Sequence, residues 1–316
     1  NCHKSRLNSG MDVSRSLTPP DWVFISHPTW QADILSFQRR HSGHKLIQEV
    51  NMVLKISEHI EDFETRGFTV FRNVLPASLI TQLREVTDRG REQARQRNTS
   101  QTQRIQPLES YDIDLEPFRE FAALPELNDV MHQLLSDRHY LGKVEHMAVL
   151  LEPGDLPWAT GWHRDLRDNY PALDMNEWKT RFTDIRFFNQ VNCPLYEDNS
   201  FWAVPGSHHQ EELEQDVVRF KGFCDPETQR CPQSPFQMPE LDGLSVVDRE
   251  RACLDYCQKM PGAVRMCLDP GDFAIYRNTL WHLGNYIPYR KRAALHTTAF
   301  TPEFQGWYEE IGILKK

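Results

Sequence analysis

Long apolar runs are missing from this chain. None of its 316 residues belongs to an apolar stretch approaching the roughly 18 residues that a membrane-spanning helix needs. The first residues also lack the charged-then-apolar order of a secretory signal. These two absences predict a protein of the cytoplasm that has no membrane partner.

Cysteine and positive charge are also scarce. Seven cysteines are too few, and odd in number, for a disulfide scaffold, which favours free thiols in a reducing compartment. The formal net charge of −9 argues against a nucleic-acid partner, because a nucleic-acid surface carries a basic stripe. The one local basic stretch, Arg84–Arg97, also contains acidic residues and is interpreted as a solvated helix face.

The spacing of apolar residues divides the chain into a helical first part and a strand-rich second part. It predicts a helix within residues 47–63, a short strand at Gly67–Phe71 and a helix from Leu75 to Val86. Residues 95–118 are polar and aperiodic, which predicts a long loop before a further helix at Leu124–Leu135.

Short strand-like runs separated by Pro-Gly turns follow. They are Val144–Leu151, Ile185–Cys193, Phe201–Val204, Ala263–Leu268, Phe273–Tyr276 and Ala293–Phe300. This succession is typical of a β-sandwich or jelly roll, so the predicted fold class is mainly β with flanking helices. We expect an arm and helical extension at 1–60, a domain at 61–302 and a tail at 303–316, with the core at about 144–302 and an acidic insertion at 209–262.

Three residues have the types and spacing of a metal site. His163 and Asp165 are separated by one residue, so on an extended strand both side chains point to the same face. A third ligand has to come from another segment, and His282 follows the predicted strand at Phe273–Tyr276. Two imidazoles and one carboxylate on one face of an octahedron leave open positions, which suits non-haem iron(II) oxygenases. These three residues are therefore the predicted metal ligands and catalytic centre.

Two other pairs of histidine and acid compete with this assignment. His59 and Glu61 lie in a predicted helix, where residues two apart face away from each other. His209 and Glu211 open the insertion and have no predicted strand to hold them. A histidine taken alone is more often a hydrogen-bonded core residue than a ligand, so the neighbouring motifs decide between these sites.

Arg292 lies ten residues after His282, at the start of an apolar, strand-like run. Arginine pairs with a carboxylate through a bidentate fork that lysine cannot offer. Because Arg292 opens an apolar run, its side chain can enter the barrel, whereas Arg290 and Lys291 lie in a polar turn. We predict that Arg292 binds the far carboxylate of a dicarboxylate cosubstrate; the alternative is three solvated turn cations.

Five motifs in a fixed order resemble the phytanoyl-CoA dioxygenase family of iron(II)/2-oxoglutarate oxygenases. They are His163–Asp165, the Pro-Gly-Ser-His turn at 205–208, the Pro-Gly-Asp turn at 270–272, His282 and Arg292. The segment Glu64–Phe71 and the helix after it also resemble the beginning of that family's domain, so the likeness covers about residues 60–302.

The resemblance implies a double-stranded β-helix with a cupin-like core. It also implies an oxygenase that uses iron(II), 2-oxoglutarate and O2, with ascorbate as a candidate reductant. Arg292 would bind the 5-carboxylate of 2-oxoglutarate, and Met147 matches a family position that packs on this cosubstrate. Phe188, Gln190 and Asn192 share one predicted strand face and are assigned to the cosubstrate pocket.

Two positions bear on the reaction within that family. Relatives that halogenate have Ala or Gly at the position of Asp165, so this chain resembles a hydroxylase or another enzyme that oxidises an unactivated C–H bond. Family members commonly place Ser or Thr two residues after the distal histidine to bind the cosubstrate, whereas this chain has Gly284.

The substrate and two other functions stay open. The acidity of the insertion disfavours a polyanionic partner such as an acyl-CoA and predicts a small, neutral or cationic organic substrate. The alternatives are a cupin-like metalloenzyme that does not use 2-oxoglutarate and a non-catalytic barrel that binds a ligand. His296, which shares a predicted strand face with Arg292, is a further candidate for substrate contact.

Four cysteines in the insertion are a second candidate metal site. Their spacing is unlike the paired knuckles of zinc sites, so buried or free thiols are the alternative. They are Cys224, Cys231, Cys253 and Cys257.

Overall fold

The computed structural model describes residues 56–165, 167, 173–210, 218–219, 233–234 and 236–311. All of them fall within one structural unit, Met52–Lys316. Most of the predicted N-terminal arm and much of the insertion lie outside the described residues. Of the helices in the described part, none combines the length and the apolar character that crossing a membrane requires.

Thirteen described strands, all in antiparallel pairs, make up the sheets. They are β1 (Phe68–Phe71), β2 (Arg104–Ile105), β3 (Tyr140–Leu141), β4 (Ala148–Leu151), β5 (Trp158–Ala159), β6 (Asn189–Pro194), β7 (Asp198–Ala203), β8 (Val218–Arg219), β9 (Gln233–Ser234), β10 (Val264–Leu268), β11 (Phe273–Arg277), β12 (His282–Tyr286) and β13 (Ala293–Phe300). The strands β8 and β9 pair only with each other, inside the predicted insertion.

The other strands form two sheets between which the chain alternates. The larger sheet has the order β1-β11-β6-β13-β4-β2, with β3 also paired to β13, and the smaller sheet has the order β10-β7-β12-β5. From β4 to β7 the chain passes from the larger sheet to the smaller and repeats this step. From β10 to β13 it alternates again, starting in the smaller sheet. This winding is a double-stranded β-helix, and the predicted fold class is confirmed.

Seven described helices flank the sheets. They are α1 (residues 56–66), α2 (Ala77–Arg97), α3 (Glu116–Ala122), α4 (Pro125–Leu134), α5 (Met175–Arg181), α6 (Val246–Lys259) and α7 (Pro302–Glu310). The helix α7 lies in the segment predicted as a tail. It begins where the Thr301 side chain accepts a hydrogen bond from the Phe304 N–H, and it buries Phe304 and Trp307.

The predicted loop at 95–118 contains regular structure. It includes the end of α2, the beginning of α3 and the strand β2, whose Ile105 is fully buried and pairs with Val149 of β4. A strand of two residues is too short to show any periodicity in the sequence. It exists because the edge of the sheet is there to pair with it.

Apolar side chains pack in three layers. Helices α2 to α4 cover the outer face of the larger sheet, where Leu83 and Phe118 join the cluster that contains Ile275. Between the sheets lies a second cluster that includes Phe201 and Leu268. The helix α6 packs on the outer face of the smaller sheet through a third cluster. Because β11 lies between two layers, all five of its residues are buried, in agreement with the apolar run Phe273–Tyr276 that forms its first four positions.

The Pro-Gly-Ser-His turn at 205–208 attaches the beginning of the domain to the smaller sheet. His208 is 1% exposed, and its Nε2 lies 3.0 Å from the carbonyl oxygen of Glu64. Its ring fills the space above Gly67, where a Cβ would lie 2.5 Å from Nδ1. Burial, aided by the nearby charges, lowers the pKa of His208 to about 3. The buried imidazole is therefore neutral.

Acidification should destabilise the fold through His208. The unfolded imidazole titrates near 6.5 and the folded one near 3, so between these values only the unfolded chain takes up the proton. The stabilisation is therefore complete above pH 6.5 and decreases as the pH falls, by about 2 kcal/mol at pH 5. His208→Asn should flatten the pH dependence of the free energy of unfolding between pH 8 and 5, measured by urea denaturation.

The matched control is His209→Asn. His209 is exposed, although its Nε2 lies 2.8 Å from the same carbonyl oxygen of Glu64. Its replacement removes only a secondary charge effect on the pKa of His208, so it should change the slope much less than His208→Asn does. Equal slopes in the wild type and His208→Asn would show that His208 is not held neutral.

Candidate metal centre and active-site cavity

His163 and His282 lie directly opposite each other on neighbouring segments. The backbone N–H of each donates to the carbonyl oxygen of the other at 3.1 Å, which forms an isolated antiparallel bridge. Residues that exchange both bonds in this way project their side chains from the same face. The two ring centroids are accordingly 4.4 Å apart.

Asp165 approaches the two imidazoles from the turn after this bridge. Its Oδ1 lies 3.5 Å from Nε2 of His163 and its Oδ2 lies 3.6 Å from Nε2 of His282. One donor atom from each residue lies within 4.8 Å of the others. Burial would raise the pKa of Asp165, but the two adjacent histidines hold it well below its usual value. The group is therefore a carboxylate.

The path of the chain at this site differs from the predicted single strand. Regular strand β5 ends at Ala159, His163 pairs only through the bridge, and Asp165 lies in a turn. The N–H of Asp165 donates to the carbonyl oxygen of Asn278 at 3.0 Å. That bond, rather than strand alternation, directs the carboxylate toward the histidines.

Backbone carbonyl groups set the tautomers of both histidines. Nδ1 of His163 lies 2.8 Å from the oxygen of Gly161, and Nδ1 of His282 lies 2.9 Å from the oxygen of Leu280. A carbonyl oxygen only accepts, so each Nδ1 carries the proton and each Nε2 presents a lone pair on the side of Asp165. Two imidazole nitrogens and one carboxylate, with space in front of them, fit an iron(II) ion.

The turn at 205–208 supports both of the segments that carry these residues. Arg164 is fully buried beside the rings of Trp178 and Trp281, and its Nη2 donates to the carbonyl oxygen of Ser207 at 2.9 Å. The Oγ of Ser207 accepts the backbone N–H of Trp281 at 2.9 Å. One turn therefore fixes the immediate neighbours of His163 and His282.

The three candidate ligands line a cavity of about 390 Å³, which Arg292 also lines. Nε of Arg292 donates to Oδ2 of Asp198 at 2.8 Å. Its guanidinium carbon lies 5.0 Å from the centre of the Tyr286 ring. Burial opposes the charge on Arg292, but Asp198 outweighs this effect and the pKa of Arg292 is raised. Within the described part of the chain its Nη1 and Nη2 make no hydrogen bond, so they can meet a carboxylate in the cavity.

The helix α2 holds the backbone of Arg292. Glu152 accepts the Arg292 N–H at 2.8 Å and pairs with Arg91 and Arg95 at 3.3 and 3.1 Å. Nη2 of Arg91 also donates to the carbonyl oxygen of Arg292 at 3.0 Å. The interpretation of the basic stretch as a solvated face is wrong for Arg91 and Arg95, because residues four apart lie on the same side of a helix and this side rests on the sheet.

The predicted pocket residues separate into two groups. Asn192 lines the cavity, and Gln190, on the same face of β6, accepts a hydrogen bond at 2.9 Å from the hydroxyl of Tyr276, which lines the cavity. Phe188 instead packs against Phe304 of α7, since its φ of 63° turns it out of the strand pattern. Met147 is 1% exposed and packs in the core outside the larger sheet, with the residues of β4 that share its strand parity.

His296 also lines the cavity, together with residues that the sequence did not predict. Nδ1 of His296 lies 2.8 Å from Oδ1 of Asn192, and burial lowers the pKa of His296 to about 3, so this ring is neutral. Arg104 of β2 and Tyr286 of β12 also line the cavity. Arg104 gave no signal, since its strand is two residues long. Tyr286 did give one, because it shares the parity of His282 and Gly284 on one strand.

The candidate zinc site falls partly outside the described residues, which contain neither Cys224 nor Cys231. Cys253 and Cys257 lie one turn apart on α6 and are fully buried in the apolar cluster on the smaller sheet. Burial raises their pKa values to about 11 and about 12. These two side chains are therefore neutral thiols that pack as apolar groups.

Comparison with known protein families finds one match. Residues 63–285 match the family model described as phytanoyl-CoA dioxygenase (PhyH), which is more than two thirds of the chain and includes all three candidate metal ligands. No curated protein sequence matches the chain.

Several solved structures resemble this one at low sequence identity. EvdMO1 has 16% identity and a TM-score of 0.48, and the match covers 78% of this chain and 50% of that one. EvdO2 from Micromonospora carbonacea var. aurantiaca complexed with 2-oxoglutarate has 14% identity and a TM-score of 0.48, covering 77% and 90%. EctD from S. alaskensis with 2-oxoglutarate and 5-hydroxyectoine has 16% identity and a TM-score of 0.48, covering 78% and 76%. The chain spans half the length of EvdMO1.

Removal of Asp165 should abolish tight metal binding. In Asp165→Ala the two imidazoles stay but the anionic ligand is lost. Loss of a residue that only hydrogen-bonds a metal ligand typically lowers metal affinity by roughly 10- to 100-fold. Because Asp165→Ala removes a candidate ligand itself, we expect the affinity for iron(II), measured by anaerobic equilibrium dialysis, to fall by more than this. The exposed His132 supplies the control His132→Gln, which should bind iron(II) as the wild type does. Full affinity in Asp165→Ala would place the ion elsewhere.

Proposed function

The chain belongs to the phytanoyl-CoA dioxygenase family of iron(II)/2-oxoglutarate-dependent oxygenases, and we propose that it oxidises an unactivated C–H bond of a small organic metabolite. The outcome would be hydroxylation or another oxidation, coupled to decarboxylation of 2-oxoglutarate to succinate. The use of O2 as the oxidant, and of ascorbate as an auxiliary reductant, stays a prediction from the sequence.

One observation carries this proposal. The nitrogen and oxygen donors of His163, Asp165 and His282 converge within 4.8 Å on the wall of a cavity that also contains the side chain of Arg292. Three protein ligands on one side of a metal ion leave coordination positions that a small molecule with its own donor atoms can fill. A dicarboxylate that chelates the metal at one end can reach a buried arginine with the other.

Each residue has a distinct part in the proposed reaction. His163, Asp165 and His282 would hold iron(II), and Arg292 would bind the 5-carboxylate of 2-oxoglutarate. When bound, iron(II) and 2-oxoglutarate supply O2 activation and hydrogen abstraction. Phe201 and Tyr276, with ring centroids 5.6 and 5.8 Å from the His282 ring, shield that ligand from water.

The charges around the cavity favour a neutral substrate. Arg104, Arg292 and a divalent iron ion would balance Asp165, Asp198 and the two carboxylates of 2-oxoglutarate. The neutral His296 adds no charge. A volume of about 390 Å³ lies at the lower end of ligand pockets and has to hold the cosubstrate as well. We therefore propose that the substrate is a small neutral metabolite. A cationic substrate, which the acidity of the insertion also allowed, stays a prediction.

Anaerobic titration tests the proposal directly. Addition of 2-oxoglutarate to the iron(II)-loaded protein should produce the weak metal-to-ligand charge-transfer absorption in the visible, because the 1-carboxylate and 2-keto oxygens chelate the ion. Asp165→Ala should give no such band. Absence of the band in folded, iron-loaded wild type would instead favour a cupin-like metalloenzyme without 2-oxoglutarate, or a non-catalytic barrel.

Arg292 should determine the affinity for 2-oxoglutarate. Arg292→Gln combined with Asp198→Asn removes both buried charges and leaves neither one unpaired. The KM for 2-oxoglutarate, measured from succinate formed without substrate, should rise by about 100-fold or more. The reason is that loss of the buried charge pair between Arg292 and the 5-carboxylate costs about 3 kcal/mol of binding free energy. Arg290→Gln, on an exposed arginine paired with Glu197, should leave KM unchanged. An unaltered KM in the double variant would assign the 5-carboxylate to another residue.

A further inference from the structure

Gly284 leaves a space that another residue fills. A Cβ built on Gly284 would lie 1.9 Å from the hydroxyl oxygen of Tyr286 and 2.1 Å from the ring carbon that bears it. Any side chain at this position would therefore collide with the phenol where it now lies. A Ser or Thr at this position would place its own hydroxyl oxygen one bond beyond that Cβ. The hydroxyl of Tyr286 occupies nearly the same place.

The tyrosine ring is held in this position from two sides. Tyr286 pairs with Trp158 across the strands β12 and β5, and their ring centroids are 5.1 Å apart. The guanidinium carbon of Arg292 lies 5.0 Å from the centre of the phenol ring. Both Tyr286 and Arg292 line the cavity of the candidate metal centre. The phenol thus lies beside the arginine and on the strand that begins with His282.

The hydroxyl of Tyr286 is an available hydrogen-bond donor. It makes no hydrogen bond to another group in the described part of the chain, whereas the hydroxyl of Tyr276 donates to Gln190 at 2.9 Å. Burial raises the pKa of Tyr286, so the group keeps its proton at neutral pH. A protonated phenol beside a guanidinium is suited to bind an anionic oxygen.

We propose that Tyr286 donates a hydrogen bond to the 5-carboxylate of 2-oxoglutarate, beside Arg292, and so replaces the hydroxyl that Gly284 cannot supply. This inference rests on the proposed use of 2-oxoglutarate. The guanidinium and the phenol together present donors to both oxygens of one carboxylate. The hydroxyl comes from two residues further along the strand, and the glycine makes room for it.

The decisive variant is Tyr286→Phe, which removes only the hydroxyl and keeps the ring beside Trp158 and Arg292. The probes are 2-oxoglutarate and 2-oxobutyrate, which has the same chelating oxygens but no 5-carboxylate. Dissociation constants come from anaerobic titration of the iron(II)-loaded protein, followed by the charge-transfer absorption. We expect the affinity for 2-oxoglutarate to fall by about 10- to 100-fold, as for a lost hydrogen bond to a charged group. The affinity for 2-oxobutyrate should stay unchanged.

Two outcomes would overturn the proposal. Unchanged binding of both probes in Tyr286→Phe would limit Tyr286 to packing. Equal weakening of both probes would place its effect at the metal rather than at the 5-carboxylate. If the wild type gives no absorption with either probe, the proposed function itself fails, and this result is distinct from the other two.

A rescue experiment exploits the space shared by the two residues. Tyr286→Ala should lose 2-oxoglutarate affinity, and addition of Gly284→Ser should restore much of it by supplying a hydroxyl from the emptied position. Gly284→Ser alone should weaken 2-oxoglutarate binding, because the new side chain meets the phenol. Failure of the folded double variant to recover any affinity relative to Tyr286→Ala would contradict the exchange of hydroxyls.

Discussion

The pair of backbone hydrogen bonds between His163 and His282 is the constraint on which the site depends. It brings together residues from the two halves of the β-helix and directs both imidazoles to one side. The N–H of Asp165 donates to the carbonyl oxygen of Asn278, in the turn that leads to β12, and so ties Asp165 to the segment of His282. The turn at 205–208 then fixes the residues next to both histidines. Loss of the bridge would therefore separate the candidate metal ligands rather than only weaken the sheet.

The other end of the cavity depends on a buried charge. A guanidinium inside a barrel is costly unless it is paired, and Arg292 is paired with Asp198 while Glu152 and Arg91 hold its backbone. Because Nε is used in that pair, the outer nitrogens stay directed to a ligand. The helix α2 thereby helps to position the residue that directly precedes the last strand, β13.

The fold class and the candidate metal site could be predicted from the sequence, because both depend on residue types and on their order along the chain. The antiparallel core followed from short apolar runs between Pro-Gly turns, and the three candidate ligands, whose donor atoms converge, followed from their residue types and spacing. The prediction failed where the burial of a residue depends on its neighbours. Phe188 departs from the strand through a positive φ, and Arg91 belongs to a helix face that looked solvated by composition. The strand that carries Arg104 is too short to have a pattern.

The sequence by itself determined the residue types of the centre, their order along the chain and the family to which they belong. These depend on motifs that are local in the chain, such as His163–Asp165 and the turn at 205–208. Only the tertiary structure decided which groups meet. Gly284 looked like a missing cosubstrate contact, whereas the folded strand places the hydroxyl of Tyr286 in the same space. The physical reason is that side-chain volume and hydrogen bonding between distant segments exist only after the segments have packed.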